Sequence, residues 1–198
     1  MDFPELVRRR RMVRAFDGRP VASETLDRVL EAGRRAPSAG FSQGLDLIVL
    51  EGPEETGRYW AQALPEPAAR AGFRWQGLLA APVLVVLVIS PASYHARYDE
   101  PDKARSGLAA TAAWPVPWWW VDGGMAAQLL LLAAVDEGLG ALLFTVEHPD
   151  SVLHAFGVPG GRLALGTIAL GHPAPDEPGR SSTRSRRSLD DVVHRGRW

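Results

Sequence analysis

Cysteine is absent from the 198 residues. This excludes disulfides, thiolate nucleophiles and cysteine-ligated zinc or iron–sulfur clusters. Lysine is nearly absent as well, since Lys103 is the only lysine among 22 basic residues. That bias fits GC-rich coding, so the arginine count alone carries no functional signal. Excess charge is missing too: a formal net charge of −1 gives no global field toward nucleic acid or an anionic membrane. The longest apolar runs, Ala80–Ile89 and Met125–Val135, fall short of the roughly 20 residues that cross a bilayer. The N-terminus runs from Met1-Asp2-Phe3-Pro4 into four arginines with no apolar stretch behind them, so no targeting segment is expected. A soluble, cytoplasmic chain is expected, with no membrane or nucleic-acid partner. A length of 198 residues suits one domain over 1–198 that buries a core without metals or disulfides.

What is present reads as helices interleaved with a few strands, without a regular βαβ rhythm, which argues for an α+β layer fold. Asp2–Arg11 carries Phe3, Leu6 and Val7 on one side and suits a short helix. Ser23 is positioned to cap a second helix running to about Arg35, striped by Leu26, Val29 and Leu30. Gly33 extends that stripe without a side chain, so the last turn either packs closely or frays. Pro37–Gly44 is a small-residue loop, Leu47–Leu50 a short strand, and Glu54–Ala63 and Glu66–Leu79 two helical stretches. Pro82–Ile89, dense in β-branched residues, is the best strand candidate. A long helix over Asp122–Glu137 stops at Gly138-Leu139-Gly140, with Asp122 as its expected cap. Strand Ala141–Val146, a helix near Asp150–Phe156 and strand Leu163–Leu170 complete the core, ahead of an extended tail over 174–198.

Three clusters carry potential chemistry. Arg8-Arg9-Arg10-Arg11-Met12-Val13-Arg14 brings several guanidiniums together. Each offers a planar fork of charge-assisted donors suited to phosphate. Alone, such a cluster is more often a solvated basic face. Arg184-Ser185-Arg186 places two more arginines on one side of an extended tail. Ala36-Pro37-Ser38-Ala39-Gly40-Phe41-Ser42-Gln43 lets a ligand approach backbone and hydroxyls, yet by itself reads as an ordinary helix-to-strand turn. His148, His154 and His172 are too scattered to suggest a metal site.

Order and spacing add information. Arg10-Arg11-Met12-Val13-Arg14-Ala15-Phe16, then Ala36-Pro37-Ser38 with Gln43, resembles the FMN-dependent nitroreductase family. Asp122-Gly123-Gly124-Met125 through Ala134 resembles that family's central helix, and Leu165-Gly166-Thr167 through Pro173 its last core strand. Arg184–Val193 resembles its tail, so the likeness spans nearly the whole chain apart from residues 90–120.

The resemblance implies a three-layer α+β fold, a mostly antiparallel central sheet flanked by helices, in an intertwined homodimer with FMN at the interface. Carried over by position, Arg10 and Arg186, helped by Arg184, would bind the FMN phosphate. Arg11 and Met12 would touch the cofactor partly through backbone, and Arg14 would lie by the pyrimidine side of the flavin. Pro37, Ser38 and Ala39 would come from the partner subunit and pack along the ring, Phe41 would also touch the cofactor, and Thr145 and Val146 would face flavin N5. NADH or NADPH would be the co-substrate and a small conjugated oxidant, such as a quinone or nitro compound, the acceptor. No side chain need act as general acid or base, because the cofactor carries the redox chemistry. The chain departs from the usual family pattern at Met12, where serine is common, at Phe41, where asparagine is common, and at Gly44-Leu45, where Pro-Trp is usual. These departures keep two alternatives open: an oxygen-using flavin oxidase or flavin-cleaving enzyme, and a non-catalytic FMN-binding protein.

Residues 90–120 exceed an ordinary connection and hold prolines 91, 101, 115 and 117 among aromatics. They read as a lid or insertion, or else as packing against a dimer partner. Phe41, Tyr98 and Trp114 are the expected substrate contacts, with Trp119 structural.

Overall fold

The computed structural model describes residues 1–110, 113–175, 177, 179 and 183–198. Its centre is strand β2 (Val83–Ile89), seven apolar residues that are all buried. Such a run has no polar face to show water, so it demands cover on both sides. Strand β1 (Leu45–Glu51) pairs with one edge of β2 and β4 (Leu163–Gly171) with the other. Strand β3 (Gly140–Phe144) closes the order β1-β2-β4-β3, and every pairing is antiparallel.

Alternation along β2 divides the core. Val83, Val85 and Leu87 join Leu26, Val29, Leu130 and Leu131 on one face. Leu84, Val86 and Val88 join Leu50, Tyr59, Trp60 and Leu153 on the other. The first face is covered by α2 (Ser23–Arg34) and α7 (Trp118–Asp136), the second by α3 (Gly52–Ala63) and α8 (Pro149–Ala155). The three-layer α+β architecture expected from the sequence is the one observed.

At Gly33 the backbone of α2 packs directly on Leu130 of α7. A Cβ there would stand 2.6 Å from Cδ2 of Leu130, so the glycine is required by packing, and the turn does not fray. Helix α7 is 19 residues long and apolar enough to match a membrane span by composition. Here it lies against α2, β3 and β4 with Ala126, Ala127, Leu130 and Ala134 buried.

Several boundaries differ from expectation. The first helix, α1 (Phe3–Arg9), is capped by Asp2, whose side chain accepts from the Glu5 N–H, and buries none of its residues. Ser23 is the first residue of α2 and makes no cap bond. The stretch 66–79 forms two short helices, α4 (Pro67–Ala71) and α5 (Gln76–Leu79), because Gly72 sits at the end of the first. Strand β3 stops at Phe144, leaving Thr145 and Val146 beyond it. Within 90–120 the chain forms α6 (Pro91–Asp99), started by Pro91 and by Ser90, which accepts from the Ser93 N–H. Thr111 and Ala112, and five tail residues among 176–182, lie outside the described residues.

Candidate functional site

The arginine-rich opening leaves α1 and runs along the sheet. Met12 forms a parallel bridge with Ala141, and the Val13 N–H donates to the Ala141 carbonyl at 3.0 Å. Gly140 makes this approach possible, since a Cβ would meet the Val13 side chain at 2.9 Å. Arg10 to Arg14 therefore lie beside the first residues of β3, the strand whose far end leads into Thr145 and Val146.

Arg10 is half-buried, and its Nη1 is buried without a hydrogen-bond partner among the described residues. A guanidinium nitrogen in that state costs free energy unless an anion or acceptor meets it. Arg11 is exposed. Arg14 is half-buried, donates from Nη1 to the Met12 carbonyl at 3.4 Å, and stands over the ring of Trp75 at 5.2 Å. The tail passes this point, with Gly179 close to the same guanidinium. Arg184 and Arg186 sit in an exposed stretch that is neither helix nor strand.

The second group is the loop after α2. Its backbone is unusual: Phe41 and Gln43 hold φ of 58° and 49°, alongside Gly40 at 62°. Non-glycine residues in that region persist only where surrounding contacts impose it. Here the contacts come from α6 and α7. Oδ2 of the buried Asp122 accepts from the Ala39 N–H and from the Tyr94 hydroxyl, each at 2.8 Å. Arg97 Nε donates to the Gly40 carbonyl at 2.8 Å. The ring of Tyr94 lies where a Gly44 Cβ would be, and the ring of Tyr98 does the same at Gly40, at 2.5 and 2.8 Å. Two tyrosines one helical turn apart thus rest on two glycines four residues apart. The result projects Phe41 outward with 72% of its surface exposed.

Asp122 is accordingly not the helix cap that its sequence position suggests. Helix α7 begins four residues earlier, at Trp118, and turns Asp122 inward to hold the loop.

Residues 90–120 build a wall against this loop. Tyr94, Trp114 and Trp119 join Ile89 in a buried cluster, with Tyr98 packed against it and its ring 4.7 Å from that of Trp114, edge to face. Trp114 Nε1 donates to the Leu108 carbonyl at 2.6 Å. A cavity of about 470 Å³ lies between this wall, Pro37–Ala39 and the start of α7, with Tyr98, Trp114 and Trp118 on its sides. A larger cleft of about 670 Å³ opens beyond Ser38 between α2 and the β1 edge. Neither space is lined by Arg10, Arg11, Met12 or Arg14. Thr145 and Val146 border a third, of about 100 Å³, with Gly166 and Thr167. Among the described residues, none of these three spaces by itself gathers the sequence-predicted residues. Sequence reading also missed Trp75, Tyr94 and Arg97. The Tyr94/Tyr98 and Gly40/Gly44 spacings were the available signals, while nothing local marked Trp75.

This arrangement of a four-stranded antiparallel sheet between helices, with an arginine segment stitched to its edge, defines a nitroreductase-like α+β fold. Residues 7–172 match the model of the nitroreductase family. The chain belongs to that family, and so to a family of oxidoreductase enzymes. It is 26% identical over 204 residues to a protein of Methanothermobacter thermautotrophicus provisionally named NADH dehydrogenase/NAD(P)H nitroreductase, covering all of this chain and 88% of the other. It is 24% identical over 196 residues to an NADPH-dependent oxidoreductase of Staphylococcus epidermidis, covering 98% and 73%. Among solved structures, a nitroreductase family protein of Clostridium difficile 630 aligns with a TM-score of 0.71 at 20% identity, each chain covered in full. One from Exiguobacterium sibiricum, provisionally described as a nitroreductase in complex with FMN, aligns with a TM-score of 0.74 at 17% identity, covering 98% and 97%.

Proposed function

We propose that the chain is an FMN-dependent oxidoreductase that passes reducing equivalents from NADH or NADPH to a small conjugated acceptor. The observation that carries this reading is Arg10: a buried guanidinium nitrogen without a hydrogen-bond partner among the described residues, in the segment the family uses for its cofactor, stitched to β3. Its donor chemistry fits the phosphate of FMN. Bound FMN would supply the hydride chemistry at N5. The chain's own residues would bind, orient and shield.

In this reading Arg10, with Arg184 and Arg186 of the tail, holds the phosphate, and Arg11 and Met12 line the cofactor through backbone. Arg14 compensates charge on the pyrimidine side, which favours the reduced state. Thr145 and Val146 face N5. Pro37, Ser38, Ala39 and Phe41 are supplied by a second copy, making a homodimer with two sites. In keeping with that arrangement, the two cavities that border Pro37 and Ser38 have none of Arg10, Arg11, Met12 and Arg14 among the described residues lining them. The cavity of about 470 Å³ beside Tyr98 and Trp114 then receives the acceptor. Its aromatic walls favour a flat conjugated molecule through edge and face contacts.

The test is an absorbance spectrum of the purified protein with NADH and with NADPH, under nitrogen and then air. Flavin bands that one nicotinamide bleaches and an added quinone restores would support the assignment and name the donor. Flavin bands that neither donor bleaches would contradict the donor assignment and favour a non-catalytic FMN protein. Cleaved flavin under oxygen would replace the acceptor reading with the oxygen-using one.

A further inference from the structure

Trp75 sits beside two guanidiniums. The Arg14 guanidinium carbon is 5.2 Å from its ring centroid and that of Arg74 is 4.5 Å, both over the ring. An aromatic face attracts a cation through its quadrupole, and one ring facing two cations lets them lie closer than water alone would favour. The spacing between Trp75 and Arg14 is not left to side chains. The Phe16 N–H donates to the Gly77 carbonyl at 3.1 Å, and the Leu78 N–H to the Trp75 carbonyl at 2.9 Å. Gly77 touches the arginine segment so closely that a Cβ would fall 2.8 Å from the Cα of Ala15. Backbone to backbone, residues 75–78 are fastened to residues 14–16. The ring itself packs against the core face that holds Met12, Trp60 and Leu78.

We propose that Trp75 is a positioning residue for redox chemistry: its ring holds the Arg14 guanidinium in the orientation that compensates negative charge on reduced flavin. This rests on the reading of Arg14 as the cation beside the flavin pyrimidine. A cation stabilises the reduced anionic state only if it stays within a few ångströms of the developing charge and keeps one geometry. Arginine carries a long, rotamer-rich side chain, and its hydrogen bond to the Met12 carbonyl, at 3.4 Å, is long. The ring supplies a broad apolar contact that removes alternative rotamers without competing for the guanidinium's in-plane donors.

The experiment is the midpoint potential of the bound flavin, measured against reference dyes on FMN-loaded protein, for Arg14→Met, Trp75→Met, Trp75→Phe and Arg14→Met/Trp75→Met. Thermal melting of each variant establishes that it folds, and Trp75→Gln, which also lacks a ring, replaces Trp75→Met if the latter does not. The expected result has four parts. Arg14→Met lowers the potential. Trp75→Met lowers it in the same direction by a smaller amount. Trp75→Phe, which keeps an aromatic face, stays near wild type, and the double variant matches Arg14→Met alone. A potential unchanged in Trp75→Met but lowered in Arg14→Met overturns the role of Trp75 and leaves the reading of Arg14 intact. A potential unchanged in Arg14→Met overturns that reading itself, and the role of Trp75 with it. Fully additive shifts in the double variant would also overturn it, since a ring that acts through Arg14 has nothing to act on once Arg14 is gone.

Discussion

The hydroxyl of Tyr94 donates to Oδ2 of Asp122 across 2.8 Å, joining α6 to the interior of α7 where both residues are buried. Burial, and then the adjacent carboxylate, push the Tyr94 hydroxyl well above its ordinary pKa, so it stays a donor throughout the useful pH range. The same oxygen takes the Ala39 N–H. One carboxylate thereby fixes the loop that bears Phe41.

Loss of that carboxylate should be costly. Asp122→Ala orphans the buried Tyr94 hydroxyl, at about 1–3 kcal/mol for a buried donor left unpaired, and also the half-buried Ala39 N–H. Tyr94→Phe removes one bond to a charged acceptor, at about 1.5–3 kcal/mol. Urea unfolding measures both, and Asp122→Ala is expected to lose more. Losses under about 0.5 kcal/mol for both would place the loop's support elsewhere, in the range of ordinary surface changes.

Gly33→Ala sets helix propensity against packing. Propensity alone favours alanine by about 1 kcal/mol. The new methyl, however, would lie 2.6 Å from Cδ2 and 2.7 Å from Cγ of Leu130, a side chain with no exposure. Overpacking of this kind costs about 1–3 kcal/mol, so a net loss is expected. Leu130→Ala costs stability by itself, but adding Gly33→Ala to that background should then raise stability rather than lower it. A stabilised single variant would show that α2 and α7 separate easily.

Alkaline stability should depend on Tyr59. Burial raises its hydroxyl to about 12, with the 2.8 Å bond to Thr167 opposing the rise. The folded state therefore holds this proton more tightly than the unfolded chain, whose tyrosines titrate near 10. Its contribution is complete below pH about 10 and is lost as pH rises toward 12. The difference is on the order of 2–3 kcal/mol. Tyr59→Phe has no proton to lose, so its stability should fall less than wild type over that interval. Parallel declines in the two proteins would contradict this.

Legibility in the sequence followed the range of the forces involved. The unbroken apolar run at Val83–Ile89 and the stripe Leu26, Val29, Leu30 were readable, because burial leaves a local pattern at period two or 3.6. The opening Arg10–Phe16 motif and the Ala36–Gln43 loop were readable by resemblance, in order along the chain. Asp122 was misread because its partners, Ala39 and Tyr94, are 83 and 28 residues away, and only the fold brings them together. Trp75 was invisible for the same reason: a tryptophan in a short irregular stretch acquires meaning from Arg14, sixty-one positions earlier in the chain.

Whether Arg10 and its neighbours hold FMN is decided by FMN titration of wild-type protein and of Arg10→Ala, followed by quenching of flavin fluorescence. Wild type is expected to bind one FMN per chain. Arg10→Ala is expected to bind more weakly by about tenfold or more, the loss of a charge-assisted bond worth about 1.5–3 kcal/mol. Colourless wild-type protein that takes up no FMN, or equal affinity in the two proteins, would contradict this.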